Sequence, residues 1–166
     1  MVLIAVSQVQ VSREALRGKE RDTLQLTWEE RRWTRKRVTT TGGREVALAL
    51  PTGSVLHPGA IVVVEADWYL AVEGCPEPVL AVVPRDRAEA VRIAFAVGNR
   101  HFPLALDGEY LLVPDDSAME QLLSRLGVRW ERWRAVFDPV GAGHRHDHGT
   151  SVVDADSYPG LRQRHD

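Results

Sequence analysis

Apolar and polar positions alternate in short runs through the first half of the chain. Leu24-Gln25-Leu26-Thr27-Trp28 does so cleanly, and Val46-Ala47-Leu48-Ala49-Leu50 follows a Gly42-Gly43 turn. Residues 61–64 and 68–72 add two further runs on either side of Glu65-Ala66-Asp67. Successive side chains of a strand point to opposite faces, so this pattern predicts strands with one buried face. Pro51, Gly53, Pro58 and Gly59 punctuate them as turn formers. Strands this short, with turns this frequent, imply a small β-sandwich or barrel over residues 1–77.

From residue 78 the period changes. Residues 79–83 are a continuous apolar run that stops at Pro84, as a buried strand does. Asp86 stands where an N-cap belongs, and Glu89 follows at capping-box spacing. Ala90, Ile93, Ala94 and Val97 then recur at helical spacing, and Gly98 reads as the stop. Residues 103–106 and 110–113 predict two strands joined through Asp107-Gly108. Asp115 or Asp116 caps a second helix with the stripe Met119, Leu122, Leu123, Leu126, closed by Gly127. Residues 128–137 predict a last strand, in which Trp130 stands between Arg129 and Glu131. The order β-α-β-β-α-β over residues 78–139 is that of a ferredoxin-like domain. That fold hosts too many activities to name one. Past Pro139, glycines at 141, 143, 149 and 160 dilute the chain, and residues 140–166 read as a flexible tail. The expected fold class is α+β: a β-rich N-terminal domain, a ferredoxin-like (βαββαβ) C-terminal domain and a flexible His-containing tail.

Composition narrows the function classes. A hydrophobic fraction of 44% over 166 residues is enough to build a core. A net charge of -2 gives no reason to expect a nucleic-acid or membrane partner. The single cysteine, Cys75, cannot form an internal disulfide, which suits the cytosol. The first twelve residues alternate but lack a basic region and a cleavage site, so no signal peptide is expected. The longest apolar runs are too short to span a bilayer. The charged segment Glu29-Glu30-Arg31-Arg32-Trp33-Thr34-Arg35-Lys36-Arg37 reads as a strand with long basic side chains on its wet face. The alternative is a surface for an acidic partner protein.

Enzyme signatures are missing. There is no P-loop, no dinucleotide-binding glycine turn, no nucleophile elbow and no H-E-x-x-H. Histidine is the informative residue: three of six fall in His144-Arg145-His146-Asp147-His148. In an extended chain all three imidazoles lie on one side, and in a helix His144 and His148 share a face. Imidazole suits nickel, zinc and copper, and Asp147 can add an oxygen. The plain alternative is a hydrophilic tail that happens to contain histidine. His101 lies in Gly98-Asn99-Arg100-His101-Phe102-Pro103-Leu104, at a helix–strand junction where a lone histidine is usually structural. His57, between Leu56 and Pro58, has no neighbouring histidine and reads as a surface residue.

Gly-Asn-Arg-His followed by Pro-Leu, after an alanine-rich helix, resembles the signature of the UreE family of urease accessory proteins. Trp28-Glu29-Glu30-Arg31, Gly42-Gly43-Arg44-Glu45, Leu50-Pro51-Thr52-Gly53, Leu56-His57-Pro58-Gly59 and Phe137-Asp138-Pro139 resemble the family as well. The resemblance implies a metallochaperone rather than an enzyme, one that delivers Ni2+ to urease in the cytoplasm. It implies a homodimer that works with the accessory GTPase and the urease apoprotein complex, and an N-terminal domain that engages urease components. It also implies that His101 is the central ligand, shared between two chains, with His144, His146, His148 and His165 of the tail as further metal ligands; Zn2+ and Cu2+ are competing ions. Many members carry a His-x-His pair where this chain has Asp115 and Ser117, and Asp115 reads more simply as a helix N-cap than as a ligand. The rival reading is a metal-independent interaction adaptor. A metal-dependent hydrolase would need convergent carboxylates and an enclosed pocket, of which the sequence gives no sign.

Overall fold

The computed structural model describes residues 3–141. The expected tail, with His144, His146, His148 and His165, lies outside the described residues. The first domain contains β1 (Leu3–Ala5), β2 (Glu20–Leu26), β3 (Arg35–Thr39), β4 (Glu45–Ala49), β5 (Ile61–Val64) and β6 (Trp68–Gly74). They form two three-stranded sheets, ordered β1-β4-β3 and β2-β6-β5. The alternation read from sequence explains the core: Leu24, Leu26, Val46, Leu48, Val62, Leu70 and Val72 are buried in one cluster. At about 25 cal/mol per Å2, burying such side chains is the main term that holds two small sheets together.

The two sheets are also stitched by a polar knot. Asp22 on β2 accepts hydrogen bonds from the Thr40 hydroxyl (2.7 Å), the Gly42 amide (2.9 Å) and the Arg44 guanidinium (2.7 Å) of the β3–β4 turn. A side chain on Gly42 would collide with the carboxylate, because its Cβ would sit 2.9 Å from Asp22 Oδ2. Burial alone would push the Asp22 carboxyl up, but the donors outweigh it and hold the group far below the usual carboxylate range.

The charged segment departs from its expected form. Glu30–Arg32 is a 3-10 turn, and β3 begins only at Arg35. Thr27 and Trp28, read as strand, belong to that turn: Glu30 accepts from the Thr27 amide at 2.8 Å. Arg31 is not on a wet face at all; it is completely buried.

The second domain contains β7 (Pro76–Val82), α1 (Arg87–Gly98), β8 (Ala105–Asp107), β9 (Tyr110–Pro114), α2 (Ser117–Leu126) and β10 (Trp130–Val136). Its sheet runs β10-β7-β9-β8, antiparallel throughout. Numbered within the domain, that is 4-1-3-2, the ferredoxin-like arrangement expected from the element order. The continuous apolar run of β7 has a physical reason, since both faces of the strand are covered. Leu80 and Val82 pack with Ile93, Val97, Met119 and Leu123 of the helices. Val79 and Ala81 face the other way, into a cluster with Leu112 and Phe137 that Trp28 of the first domain helps to cover.

The domains are joined tightly. Only Cys75 separates β6 from β7, and its amide donates to Leu26 O at 2.9 Å. Gly74 lies so close to β10 that a Cβ there would collide with the Val136 side chain. The buried Arg31 guanidinium donates to Phe137 O and, at 2.8 Å, to Asp138. Trp28 meets Phe137 edge-on at 6.3 Å between ring centroids, and its amide donates to Glu77 at 2.7 Å. A buried arginine is tolerated when its charge is paired. In Arg31, Nη1 and Nη2 are used, while Nε is left without a partner among the described residues. Its partners here lie on the last strand's exit, so Arg31 fixes how the second domain sits on the first.

Candidate metal site

His101 takes its position from the way α1 ends. The helix continues through Gly98, which the sequence had marked as its stop. The chain turns three residues later. The His101 amide donates to Gly98 O at 2.9 Å, and the Phe102 amide reaches back to Val97 O at 3.4 Å. Those two bonds form a Schellman motif, and Phe102 packs against the core cluster that contains Val97. The motif requires one residue in the left-handed region, and glycine usually fills it because a Cβ is strained there. Here the residue is His101, with φ 59, the one non-glycine residue at positive φ among those described. Backbone strain of that kind costs about 1 kcal/mol or more and clusters at functional sites. The imidazole is exposed.

Four observations define its surroundings. His101 lines a groove of about 750 Å3 between the domains, opposite Trp28, Arg32 and Ser54. Val140 and Gly141 line the same groove, so the chain enters the tail beside His101. The Val140 amide donates to Leu104 O at 2.9 Å, which holds that exit in place. Finally, α1 carries an apolar stripe on its outer face: Val91 is 64% exposed and Phe95 70% exposed, with Ala94 beside them. The stripe runs toward the helix end that presents His101.

The other candidates fall elsewhere. Among the described residues, no group of three or more His, Cys, Asp and Glu side chains is arranged to hold a metal ion. His57, the second described histidine, has Nδ1 3.1 Å from Asp138 Oδ1, the carboxylate that also takes Arg31. It therefore belongs to the domain joint. Asp115 is neither cap nor free ligand: Asp116 is the N-cap of α2, accepting from the Ala118 amide at 2.7 Å, while Asp115 pairs with Arg132 at 3.3 Å. Ser117 is the first helical residue. Burial, and then the nearby Glu30 and Glu77 charges, push the Cys75 thiol up, so it stays protonated and is a poor metal ligand. Phe102 and Trp130 are half-buried against their own domain's core.

Residues 6–73 match the family described as UreE urease accessory protein, N-terminal domain, and residues 77–166 match UreE urease accessory protein, C-terminal domain. The chain belongs to the UreE family. It is 41% identical over 124 residues to the urease accessory protein UreE of Synechococcus sp., covering 74% of this chain and 83% of that protein. It is 42% identical over 112 residues to the UreE of Deinococcus radiodurans, covering 68% and 72%. With the UreE of Paraburkholderia xenovorans it shares 35% over 140 residues, which is 82% of this chain but only 62% of that protein. The domain junction between the two UreE regions, residues 74–76, falls where β6 passes into β7. No helix among the described residues is long and apolar enough to cross a membrane.

Proposed function

We propose that this chain is a metallochaperone that carries Ni2+, as cargo, to urease during assembly of the urease active site. The observation that carries this reading is His101: an exposed imidazole held at a backbone position that favours glycine. A position kept at a cost in strain is kept for its side chain.

One imidazole binds nickel weakly, so the reading needs further ligands. A second copy supplies them most simply. Val91 and Phe95 give α1 an uncovered apolar stripe beside His101, and a two-fold contact through that stripe pairs the same patch with itself. The two His101 side chains then face each other near the axis. His144, His146 and His148 follow Gly141 by three to seven residues and can complete the coordination from the groove. A site built from few ligands, some on a terminal segment, exchanges its ion readily, as delivery requires. Nickel does not outbind copper at a nitrogen site, so selectivity comes from metal availability and from partners: the urease apoprotein complex and its GTPase. A cytoplasmic setting agrees with the single cysteine.

Light scattering with nickel titration tests the arrangement. The wild type is expected to be a dimer and Phe95→Glu a monomer with weaker nickel binding. Deleting residues 144–166 is expected to lower nickel stoichiometry and leave the dimer intact. A wild type that stays monomeric with and without nickel contradicts the shared site and favours a metal-independent adaptor.

A further inference from the structure

We propose that the free edge of β3 takes up, as a fourth strand, an extended segment of a partner protein in which acidic residues alternate with apolar ones. The inference does not depend on nickel binding, since it concerns a different surface of the first domain.

The edge is open. β3 is the outer strand of the sheet β1-β4-β3 and pairs with β4 alone. The Leu50 amide donates to Thr34 O, and the Thr40 amide donates to Arg44 O. Antiparallel pairs alternate, so Lys36 and Val38 spend their backbone groups on β4, whereas Arg35, Arg37 and Thr39 turn theirs outward. Among the described residues nothing bonds those outward groups. Both edge strands of the other sheet take a bond from outside it: the Thr41 amide donates to Thr23 O of β2, and the Val9 amide to Ile61 O of β5.

The side chains set the chemistry of the occupant. Val38 packs toward the core, so Arg35, Arg37 and Thr39 share the outer face. Arg35, Lys36 and Arg37 are all exposed, and none has a carboxylate partner among the described residues. The only acidic residue on these three strands is Glu45, at the far end opposite Thr39. A strand added here would place every second residue beside Arg35 and Arg37, where carboxylates are favoured and ammonium groups repelled. Its intervening residues would lie on the face of Lys36 and Val38, where Val38 and the Lys36 stem, whose ammonium sits 4.9 Å from the Trp33 ring centroid, favour apolar groups. The same cations oppose edge-to-edge pairing with a second copy of β3, a familiar use of charge on an edge strand. An open ladder that repels itself and attracts anions selects an acidic strand, by the strand-addition mode of peptide recognition.

The test uses the full chain and a fluorescein-labelled peptide of three Val-Glu repeats, with a Val-Lys peptide as control. The Val-Glu peptide is expected to bind in low salt and to slow hydrogen exchange at the Arg35, Arg37 and Thr39 amides. Arg35→Glu/Arg37→Glu is expected to weaken it about tenfold and to reverse the preference toward Val-Lys. Circular dichroism checks that the variant folds; if it does not, the exchange pattern of the wild type decides alone. Equal binding of the two peptides, or exchange at those amides unchanged by saturating peptide, overturns the proposal. So does slow exchange at all three amides before peptide is added, which would mean that another part of this chain or a second copy already fills the edge.

Discussion

The two helices of the second domain end in the same way with different residues. After α2, the Gly127 amide donates to Ser124 O and the Val128 amide to Leu123 O, with Gly127 at φ 67. After α1, the same two bonds run from His101 to Gly98 and from Phe102 to Val97, with His101 at φ 59. Glycine is the residue the geometry favours, and α2 uses it. α1 could be closed equally well by glycine, so the backbone geometry gives no reason of its own for a histidine there. The starts of the helices differ in a complementary way. Asp116 caps α2 with one bond to Ala118. α1 has Asp86 bonded to the Glu89 amide, and the buried Glu89 carboxylate in turn takes the Arg85 amide at 2.7 Å, the Arg85 guanidinium at 2.8 Å and Arg92 at 3.3 Å. Strain persists where the surroundings over-determine it, and α1 is the better fastened helix.

The largest effect is expected from moving the strain. Gly127→His should destabilise the protein by about 1–2 kcal/mol in urea denaturation, because it puts a Cβ at the second left-handed position. It should gain no nickel binding, since α2 exposes no large apolar side chain through which a second copy could bring a matching histidine. A smaller loss is expected from Glu89→Gln, which removes the charge from α1's fastening. Pairing with Arg85 holds the Glu89 carboxyl below its ordinary value. A lowered folded-state value stabilises above the unfolded value of about 4.3 and is lost as pH falls through and below it. Thermal melts from pH 7 to about 3 should therefore converge: the wild type exceeds Glu89→Gln at neutral pH and loses its lead in acid. The smallest effect, opposite in sign, is expected from His101→Gly, which should leave stability unchanged or raise it by about 0.5–1 kcal/mol. His101→Ala keeps a Cβ at the strained position and should show no such gain.

These contrasts mark what the sequence could reveal. The ferredoxin-like domain was legible because its signals are local: the stripe Met119, Leu122, Leu123, the Asp107-Gly108 turn and the stop at Gly127 each act within a few residues. Gly98 misled for the same reason. A glycine after an apolar stripe resembles a C-terminal stop, and only the backbone bonds reveal that the helix closes through His101. Arg31 was illegible because its partners Phe137 and Asp138 lie more than one hundred positions away, so a run of charge concealed the one member that folding buries. The apolar stripe of α1 was half seen. The spacing of Ala90, Ile93 and Val97 identified the buried face, but Ala94, read with them, is exposed beside Val91 and Phe95 on the face that proves uncovered. Asp115 and Asp116 could not be separated as caps without the Arg132 side chain that claims the first.

The central claim is that His101 is retained for metal and not for the fold. Nickel calorimetry on wild type and His101→Gly, each paired with urea denaturation of the same preparation, tests it most directly. The variant is expected to lose the tightest nickel site while remaining at least as stable as the wild type. A variant that keeps that site, or that loses it only because it unfolds, would contradict the claim.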